Sequence, residues 1–203
     1  MPKASENPSS ASALRWRLKQ HTAAAHQALQ DSPVMGRLLV ADLTWPQYRD
    51  LLGRYYGFLE PLHRNLQHQA TGSLWAGFVD PALRLAELRR DVQTAVIDPD
   101  ALPRADPGWL QPGSAFTAGV IYVLLGSTLG GKLIARALAL SLGLTADHGC
   151  AYFTAHDAAG SWPHFLEELE RYPWTGADLE ALQSAALHTF EQLHRWVEPT
   201  SDD

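Results

Sequence analysis

The chain of 203 residues has a single cysteine, Cys150, and no surplus of basic residues. One cysteine excludes internal disulfides and cysteine-based metal cages, and it suits a reducing compartment. The 16 lysines and arginines are outnumbered by 22 acidic residues, and the formal net charge of −6 argues against a general nucleic-acid binder. Residues 1–12 are polar and lack the apolar core of a signal peptide. We therefore expect a soluble, cytoplasmic protein with no nucleic-acid partner.

The sequence also lacks the signals of β-structure and of internal repeats. No run alternates polar and apolar residues as a half-buried strand would, and no unit of 20–50 residues recurs. We predict an all-α, single-domain bundle over 13–197, between a disordered tail at 1–12 and a flexible tail at 198–203. Apolar residues at three-and-four spacing indicate about seven or eight helices, namely 13–30, 35–40, a long helix after Thr44, 81–96, 114–140, a short helix near 152–153, 161–171 and 176–197.

Residues 70–112 combine charged helix positions with turn-forming sequence. Residues 70–80 are expected to form a loop, and 98–112 contains four prolines and should be irregular. Charged residues usually lie in solvent. The solvent-facing side of the helix at 81–96 is therefore expected to carry Arg84, Glu87, Arg89, Arg90 and Asp91.

Three glycines interrupt the helix predicted at 114–140. Gly126, Gly130 and Gly131 together cost roughly 2.5–3 kcal/mol relative to alanine. Gly126 and Gly130 are four residues apart, so they share one face and leave a strip of bare backbone. The strip permits a bend and the close approach of another helix or of a flat ligand, and the stretch alone leaves both readings open. It is not a phosphate-binding P-loop, because the G-x-x-x-x-G-K-[ST] spacing is absent.

Residues 107–131 contain no charged side chain, and this length could span a bilayer. However, prolines, glycines, hydroxyl residues and Gln111 interrupt the run, and its strongly apolar part is only about 119–129. We expect a buried core helix and no membrane insertion.

Nine histidines raise the question of a metal site. Two pairs, His21 with His26 and His63 with His68, are five residues apart, which separates them by about 140° on a helix, whereas a zinc clamp uses i, i+4. His26 lies among alanines, seven residues after Lys19. A single imidazole with small neighbours suits the proximal side of a haem iron. Taken alone, however, such a histidine is usually an ordinary exposed or hydrogen-bonded one.

Two motifs, in this order, resemble the haem oxygenase family. The first is L-K-x-x-T-x-x-x-H at 18–26, and the second is I-Y-V-L-L-G-S-T-L-G-G at 121–131. The amino-acid sequence of the second motif is similar to that of the bacterial branch associated with phytochromes. The resemblance extends over roughly residues 14–197.

The resemblance implies an all-α fold in which haem is held between a proximal helix and a bent distal helix. It implies that His26 is the axial ligand of the haem iron, and that Lys19 and Tyr122 contact the propionates. The residues implied to contact haem through the distal helix are Gly126, Gly130 and Gly131, and those implied to act in catalysis are Gly126, Ser127 and Gly130.

The resemblance also implies a reaction. Family members oxidise haem to biliverdin with release of CO and ferrous iron, using O2 and electrons from a separate donor, either a ferredoxin and reductase system or ascorbate in vitro. The bacterial branch further implies that a phytochrome receives the biliverdin as its chromophore.

Two departures from the family pattern leave alternatives open. Mammalian members have an aspartate where this chain has Ser127, and the bacterial branch usually has glutamate where this chain has Leu125. The distal water network and the biliverdin isomer are therefore not assigned. One alternative is a haem carrier or sensor without turnover on the same fold. Another is a relative that processes thiamine, but this would need a nucleophilic cysteine in the pocket, and Cys150 lies in a predicted turn.

Overall fold

A computed structural model describes residues 10–40, 42–155 and 160–198. Within these ranges the chain is helical and has no strand, so the prediction of an all-α domain is confirmed. The predicted tails at 1–9 and 199–203 lie outside the described residues. The α-helices are α1 Ser10–Asp31, α2 Pro33–Arg37, α3 Trp45–Ala70, α4 Ala76–Leu83, α5 Leu85–Thr94, α6 Ser114–Gly126, α7 Thr128–Leu142, α8 Ala151–Thr154, α9 Ser161–Arg171 and α10 Gly176–Val197.

The helix starts follow local capping chemistry. α1 begins at Ser10, so residues 10–12, assigned to the tail from sequence, are helical. The helix expected at 35–40 instead begins at Pro33, because the Ser32 hydroxyl accepts a hydrogen bond from the Met35 amide and proline suits the first turn. α3 begins after Thr44, as predicted.

The segment from 70 to 96 differs from its prediction. The expected loop contains the start of α4, and the expected single helix is divided into α4 and α5 at Arg84, whose φ of +47° is left-handed. Tertiary packing explains the difference, because the Trp75 and Phe78 rings lie 5.7 and 5.3 Å from the Phe165 ring of α9. These contacts hold α4 against the core despite Pro81 in its interior.

α6 is the helix around which the others pack. Every residue from Ala115 to Leu125 is buried, and α6 contacts α10, α4, α9 and α3. The closest approach is at Gly119, where a β-carbon would overlap the carbonyl oxygen of Leu182 in α10 and lie 2.7 Å from the Ala185 β-carbon. Here the glycine allows two backbones to meet.

The carboxylate of Asp91 is fully buried, which contradicts its predicted place on a solvent-facing side. Its two oxygens accept hydrogen bonds from the backbone amides of Ala151 and Tyr152, both at 2.8 Å. Burial raises the pKa of this carboxyl, and the two amide hydrogen bonds act in the opposite direction. Asp91 thus ties α5 to the start of α8.

Among the described helices, the stretch Ser114–Leu142 is long and apolar enough to cross a membrane by length and composition. Half of its apolar window is buried inside the protein, and the stretch is divided at Ser127 between α6 and α7. The α6 part of the stretch is buried in the core, as predicted, whereas α7 is buried only at Thr128, Gly131 and Leu138.

The contact at Gly119 makes a stability prediction. We expect Gly119→Ala to lower Tm by roughly 3–10 °C, because the new methyl group has to displace the α10 backbone at a cost of about 1–3 kcal/mol. Thermal unfolding followed by circular dichroism measures this shift.

The matched control is Gly77→Ala in α4, where a β-carbon would meet no atom within 4 Å. This variant should keep or slightly raise Tm, because alanine is the better helix former. Equal Tm values for the two variants would contradict the close packing of α6 on α10.

Buried acidic groups near α8 predict a loss of stability at high pH. Burial raises the pKa of the Cys150 thiol from 9.0 to about 12, and it also raises the pKa of the Tyr48 hydroxyl, which donates to the Gly149 carbonyl oxygen at 2.8 Å. Both groups ionise in the unfolded chain before they ionise in the folded one. The contribution of these two groups to the free energy of unfolding should therefore be constant below about pH 9 and fall above it, by at most about 1.4 kcal/mol per pH unit for each group.

Urea unfolding at pH 8 and pH 10.5 tests this for the wild type and for Cys150→Ala. The variant should be less stable at both pH values because of its cavity, but its loss between them should be smaller by the contribution of the thiol. The same loss in both proteins would show that Cys150 ionises equally in the folded and unfolded states.

Candidate functional site

One face of α1 carries the polar residues of the first motif. Arg15, Lys19, Thr22 and His26 are spaced by four, three and four residues, so they form a single row along the helix. Thr22 is buried and donates to the Leu18 carbonyl oxygen at 2.8 Å, whereas the other three are exposed. The row therefore lies at the margin between the buried and the exposed sides of α1.

The His26 imidazole is exposed and rests edge-on against α10. Its ring centroid lies 5.4 Å from that of Phe190, with an angle of 81° between the planes. Within the described part of the chain, no group makes a hydrogen bond to this ring, so both nitrogens are accessible to a ligand. The small residues Ala23 and Ala24 beside it are also exposed.

The glycine-rich helix is interrupted at Ser127, within the stretch where a bend is predicted, and we call this junction of α6 and α7 the bend. Two side-chain hydroxyls at the junction donate to carbonyl oxygens in the last turn of α6. Ser127 Oγ donates to the Leu124 carbonyl oxygen at 2.6 Å, and Thr128 Oγ1 donates to the Leu125 carbonyl oxygen at 2.7 Å. Because hydroxyl groups compete for the carbonyls that a continuous helix needs, this pair favours the break.

The three glycines near the bend have different surroundings. A β-carbon at Gly126 would lie 3.3 Å from the Trp162 ring, and one at Gly131 would lie only 2.7 Å from the Phe153 carbonyl oxygen. A β-carbon at Gly130 would meet nothing within 4 Å. The strip of bare backbone is therefore bounded at Gly126 by α9, whereas it is open at Gly130, and Gly131 allows α8 to pack closely.

The start of α7 leaves apolar side chains uncovered. Leu129 is 59% exposed and Leu133 is 62% exposed, on either side of the open Gly130. α7 packs on α8 and α6, whereas α1 packs on α10, α2 and α9. The two helices that carry the sequence motifs are thus linked through α6 and α10.

Tyr122 of α6 is buried, and its ring centroid is 5.5 Å from that of Trp162. Burial raises the pKa of the Tyr122 hydroxyl, and the positive charge of Arg15 opposes this rise. Arg15 is thus the member of the basic row of α1 whose charge acts on this tyrosine.

Arg84, at the junction of α4 and α5, reaches the bend from the opposite side. It is only 8% exposed, which contradicts its predicted solvent-facing position. Its Nη2 donates to Ser127 Oγ at 3.3 Å, and its Cζ lies 4.5 Å from the centroid of the Tyr152 ring. The sequence contained a signal for this burial, because Arg84 and Asp91 are at i−4 and i+3 from the core residue Leu88.

No other candidate centre competes with this one. The sequence contains E-x-x-H at 60–63 and at 191–194, yet among the described residues no group of three or more His, Cys, Asp or Glu could hold a metal ion. A cavity of about 980 Å³ lies elsewhere, between α3, the 95–103 segment and the end of α10. None of the residues that the motifs single out lines it.

Two solved structures share the fold of this chain. Haem oxygenase from Leptospira interrogans superposes with a TM-score of 0.70 at 17% identity, over 91% of this chain and 98% of that one. Haem oxygenase-1 from the cyanobacterium Synechocystis sp. PCC6803, solved in complex with haem, gives a TM-score of 0.69 at 14% identity, over 91% and 90%. At such identities the likeness shows the fold alone.

Sequence comparison matches part of the chain to a family model. No curated protein sequence matches the chain. The sequence model of the family described as heme oxygenase matches residues 12–97, which include Lys19 and His26 on α1 and continue through α5. The match covers less than half of the chain, and together with the shared fold it supports a relationship to the haem oxygenase family, whose members are oxidoreductases that degrade haem.

Proposed function

We propose that this protein oxidises haem to biliverdin, with release of CO and ferrous iron, using O2 and electrons from a separate reductase. The observation that carries the proposal is the accessible imidazole of His26 on α1, combined with the open backbone at Gly130 on α7. A planar ligand between these two helices would have one axial nitrogen on one side and no side chain on the other.

The residues present fit haem on the proximal side. His26 would hold the haem iron through a ring nitrogen, because the imidazole is exposed and no described residue makes a hydrogen bond to it. The edge-on contact with Phe190 limits the orientations of the ring. The exposed alanines beside it leave room for the macrocycle. Together these features favour a single orientation of the haem.

The propionates are proposed to contact the basic row of α1. Lys19 is two turns from His26 on the same face, and Arg15 is one turn further. Ammonium and guanidinium groups bind carboxylates through charge-assisted hydrogen bonds. The Tyr122 hydroxyl lies on the Arg15 side and is proposed to donate to a propionate there, so charge and hydrogen bonding would fix which edge of the ligand faces solvent.

The distal wall is proposed to consist of Gly126, Ser127 and Gly130, with Gly131 behind it as the contact that seats α7 on α8. Leu129 and Leu133 would be covered by the apolar face of the macrocycle, at about 25 cal/mol for each Å² removed from water. The bare backbone at Gly130 leaves the sixth coordination position open to a diatomic ligand.

The chemistry of the reaction belongs to haem itself, which activates O2 and is oxidised at one of its own meso carbons. The protein positions the ligand through His26 and excludes bulk water with the leucines of α7. The backbone of the distal helix limits the directions that bound O2 can take, and Ser127 offers a hydroxyl at the bend. Electrons would come from a ferredoxin and reductase system, which ascorbate replaces in vitro.

We further propose a cytoplasmic role in which the biliverdin is supplied to a bacterial phytochrome. This proposal is supported by the amino-acid sequence of residues 121–131, which is similar to that of the phytochrome-associated branch. The second candidate is haem carriage or sensing without turnover, which is favoured by the apolar, buried Leu125 and by Ser127 at positions where family members usually have carboxylates.

An optical experiment separates these functions. The protein is mixed with haemin and then supplied with ascorbate, or with ferredoxin and its reductase, in air. We expect a Soret band that decays as the red absorption of biliverdin appears, and chromatography then identifies the isomer. A stable Soret band under reduction would support the carrier, and the lack of any Soret band would contradict both functions.

The same experiment tests the iron ligand with His26→Ala. This variant should form no biliverdin while keeping weak haem binding through the propionate and apolar contacts, and added imidazole should restore part of the Soret shift. His21→Ala is the matched control, since His21 is also exposed on α1 but about 140° around it. Unchanged biliverdin formation by His26→Ala would remove His26 from this role.

Alanine substitutions at the neighbouring glycines Gly130 and Gly131 of α7 should have different effects. The first should weaken haem binding, and the second should lower the stability of the fold. Gly130→Ala should weaken haem binding about tenfold or more, with little change in Tm, because its methyl group enters open space that the ligand is proposed to fill. Gly131→Ala should lower the free energy of unfolding by about 1–3 kcal/mol, because its methyl group meets the Phe153 carbonyl.

Haemin titration and thermal unfolding of both variants provide the comparison. If Gly130→Ala binds haemin as tightly as the wild type, the ligand does not approach this part of α7. If Gly131→Ala is as stable as the wild type, the contact between α7 and α8 is looser than the structure indicates.

A further inference from the structure

The cavity between α3, the 95–103 segment and the end of α10 has no role in the proposed reaction. Its volume is about 980 Å³, and none of the residues in the two sequence motifs lines it. Small-molecule sites in proteins measure about 300–1,000 Å³. A molecule with a single ring would therefore leave most of this space empty, whereas one with several rings could fill it. We call this space the α3–α10 cavity.

Two indole rings line the α3–α10 cavity, one from each of these long helices. Trp45, at the start of α3, is a large apolar side chain that is nevertheless 38% exposed. Trp196, near the end of α10, donates from Nε1 to the Arg54 carbonyl oxygen at 2.8 Å, and a β-carbon at Gly57 would lie 3.1 Å from its Cζ2 atom. These contacts hold the second ring in one orientation. Flat faces of this kind stack on aromatic ligands.

A strained turn forms another part of the cavity wall. Val96 has a φ of +52°, which is an outlier for a β-branched residue, and it is 82% exposed. Arg49 holds the turn, because its Nε and Nη2 donate to the carbonyl oxygens of Ala95 and Val96 at 3.0 and 2.8 Å. Strained backbone persists where the surrounding structure enforces it, and it is frequent at ligand sites. Here it leaves an apolar side chain at the cavity, where a ligand would cover it.

The cavity also has an excess of positive charge. Its lining contains three arginines, Arg49, Arg54 and Arg195, and two carboxylates, Asp50 and Glu198. Asp50 pairs with Arg54 at 2.8 Å, whereas Arg49 donates to neutral carbonyl groups and Arg195 forms no ion pair with any described residue. The formal charge of the whole chain is −6, so a positive wall is unusual in this protein. It favours a ligand that carries a carboxylate.

Glu198 adds an acceptor to the same wall. Its Oε1 is buried and has no hydrogen-bond partner among the described residues. The Nε2 atom of His194 is 3.8 Å from this oxygen, which is too far for a hydrogen bond. A buried acceptor without a donor is costly. A ligand with an N–H group could satisfy it, so the cavity suits a molecule that has both N–H donors and carboxylates.

We infer that the α3–α10 cavity is a second ligand site, and that it binds biliverdin after this open-chain tetrapyrrole leaves the haem cleft. The inference rests on the proposed function for the identity of the ligand. Biliverdin has four linked rings that can stack on the indoles and cover Val96, ring N–H groups that can donate to Glu198, and two propionates that can bind the arginines. A separate site allows haem and biliverdin to bind at the same time instead of competing for one cleft.

The test is a titration of biliverdin into the full chain loaded with ferric haem, without any reductant, so that the cleft is filled and no turnover occurs. Circular dichroism induced in the red absorption of biliverdin reports binding, because the free pigment has no fixed handedness. We expect one equivalent to bind while the Soret band of the haem stays unchanged. Trp45→Ala and Arg195→Met should each raise the dissociation constant for biliverdin about tenfold or more, through lost stacking and a lost charge-assisted hydrogen bond.

Two matched variants control for nonspecific loss of affinity. Trp16→Ala removes an exposed indole of α1, and Arg89→Met removes an exposed arginine of α5. Neither residue lines the cavity, so both variants should change the dissociation constant by less than about twofold. Arg195 is itself exposed, so Arg195→Met should fold as the wild type does even if Trp45→Ala is less stable.

Each outcome decides the inference. Weaker biliverdin binding in both cavity variants, with unchanged binding in both controls, supports it. It would be overturned if the wild type with haem bound no biliverdin, or if either cavity variant bound it as tightly as the wild type. These results would leave the proposed function intact, which a wild-type protein without a Soret band would contradict separately.

Discussion

The contact between α6 and α10 at Gly119 is the constraint from which the site follows. Because the two backbones meet there, α6 is fixed in the centre of the bundle and buried all round from Ala115 to Leu125. A helix enclosed in this way has little surface left for a ligand. This changes at Ser127, where α6 stops and α7 continues with one side uncovered. The bend therefore joins a core helix to a helix with an open side.

The packing of α7 depends on that division. α7 is attached to the bundle through Gly131, which lets it lie against the α8 backbone, and α8 is in turn held by the buried carboxylate of Asp91. This anchoring leaves Gly130 and the leucines beside it without a protein partner. Residues outside the proposed site thus decide that this part of α7 stays uncovered. Such residues can look like ordinary core positions in a sequence.

Sequence patterns could predict the long elements and could not predict burial that depends on distant partners. The periodicity of α3, α9 and α10 is local, and so are the glycines and hydroxyls at the bend, which is why these features were expected correctly. The predicted bounds of α4 and α5 were wrong. Contacts of Trp75 and Phe78 with α9 outweigh the local preference of Pro81 for the start of a helix. The described residues contain more helices than predicted, because α4 is separate from α5 and because α6 is divided from α7 at Ser127.

The residues of the candidate site also differ in whether the local sequence makes them recognisable. Its motif residues, His26 and Gly130, are recognisable because each represents an unusual choice in its own helix. Arg84 is not recognisable in this way, since an arginine on an amphipathic helix normally extends into water; only its position four residues before the core residue Leu88 indicates otherwise. In the fold it lies within hydrogen-bonding distance of Ser127. The two residues are 43 positions apart in sequence, so their contact is a property of the fold. The glycine pattern therefore indicates where the backbone is bare, whereas the contact of Arg84 with Ser127 depends on the packing of α4 against α6.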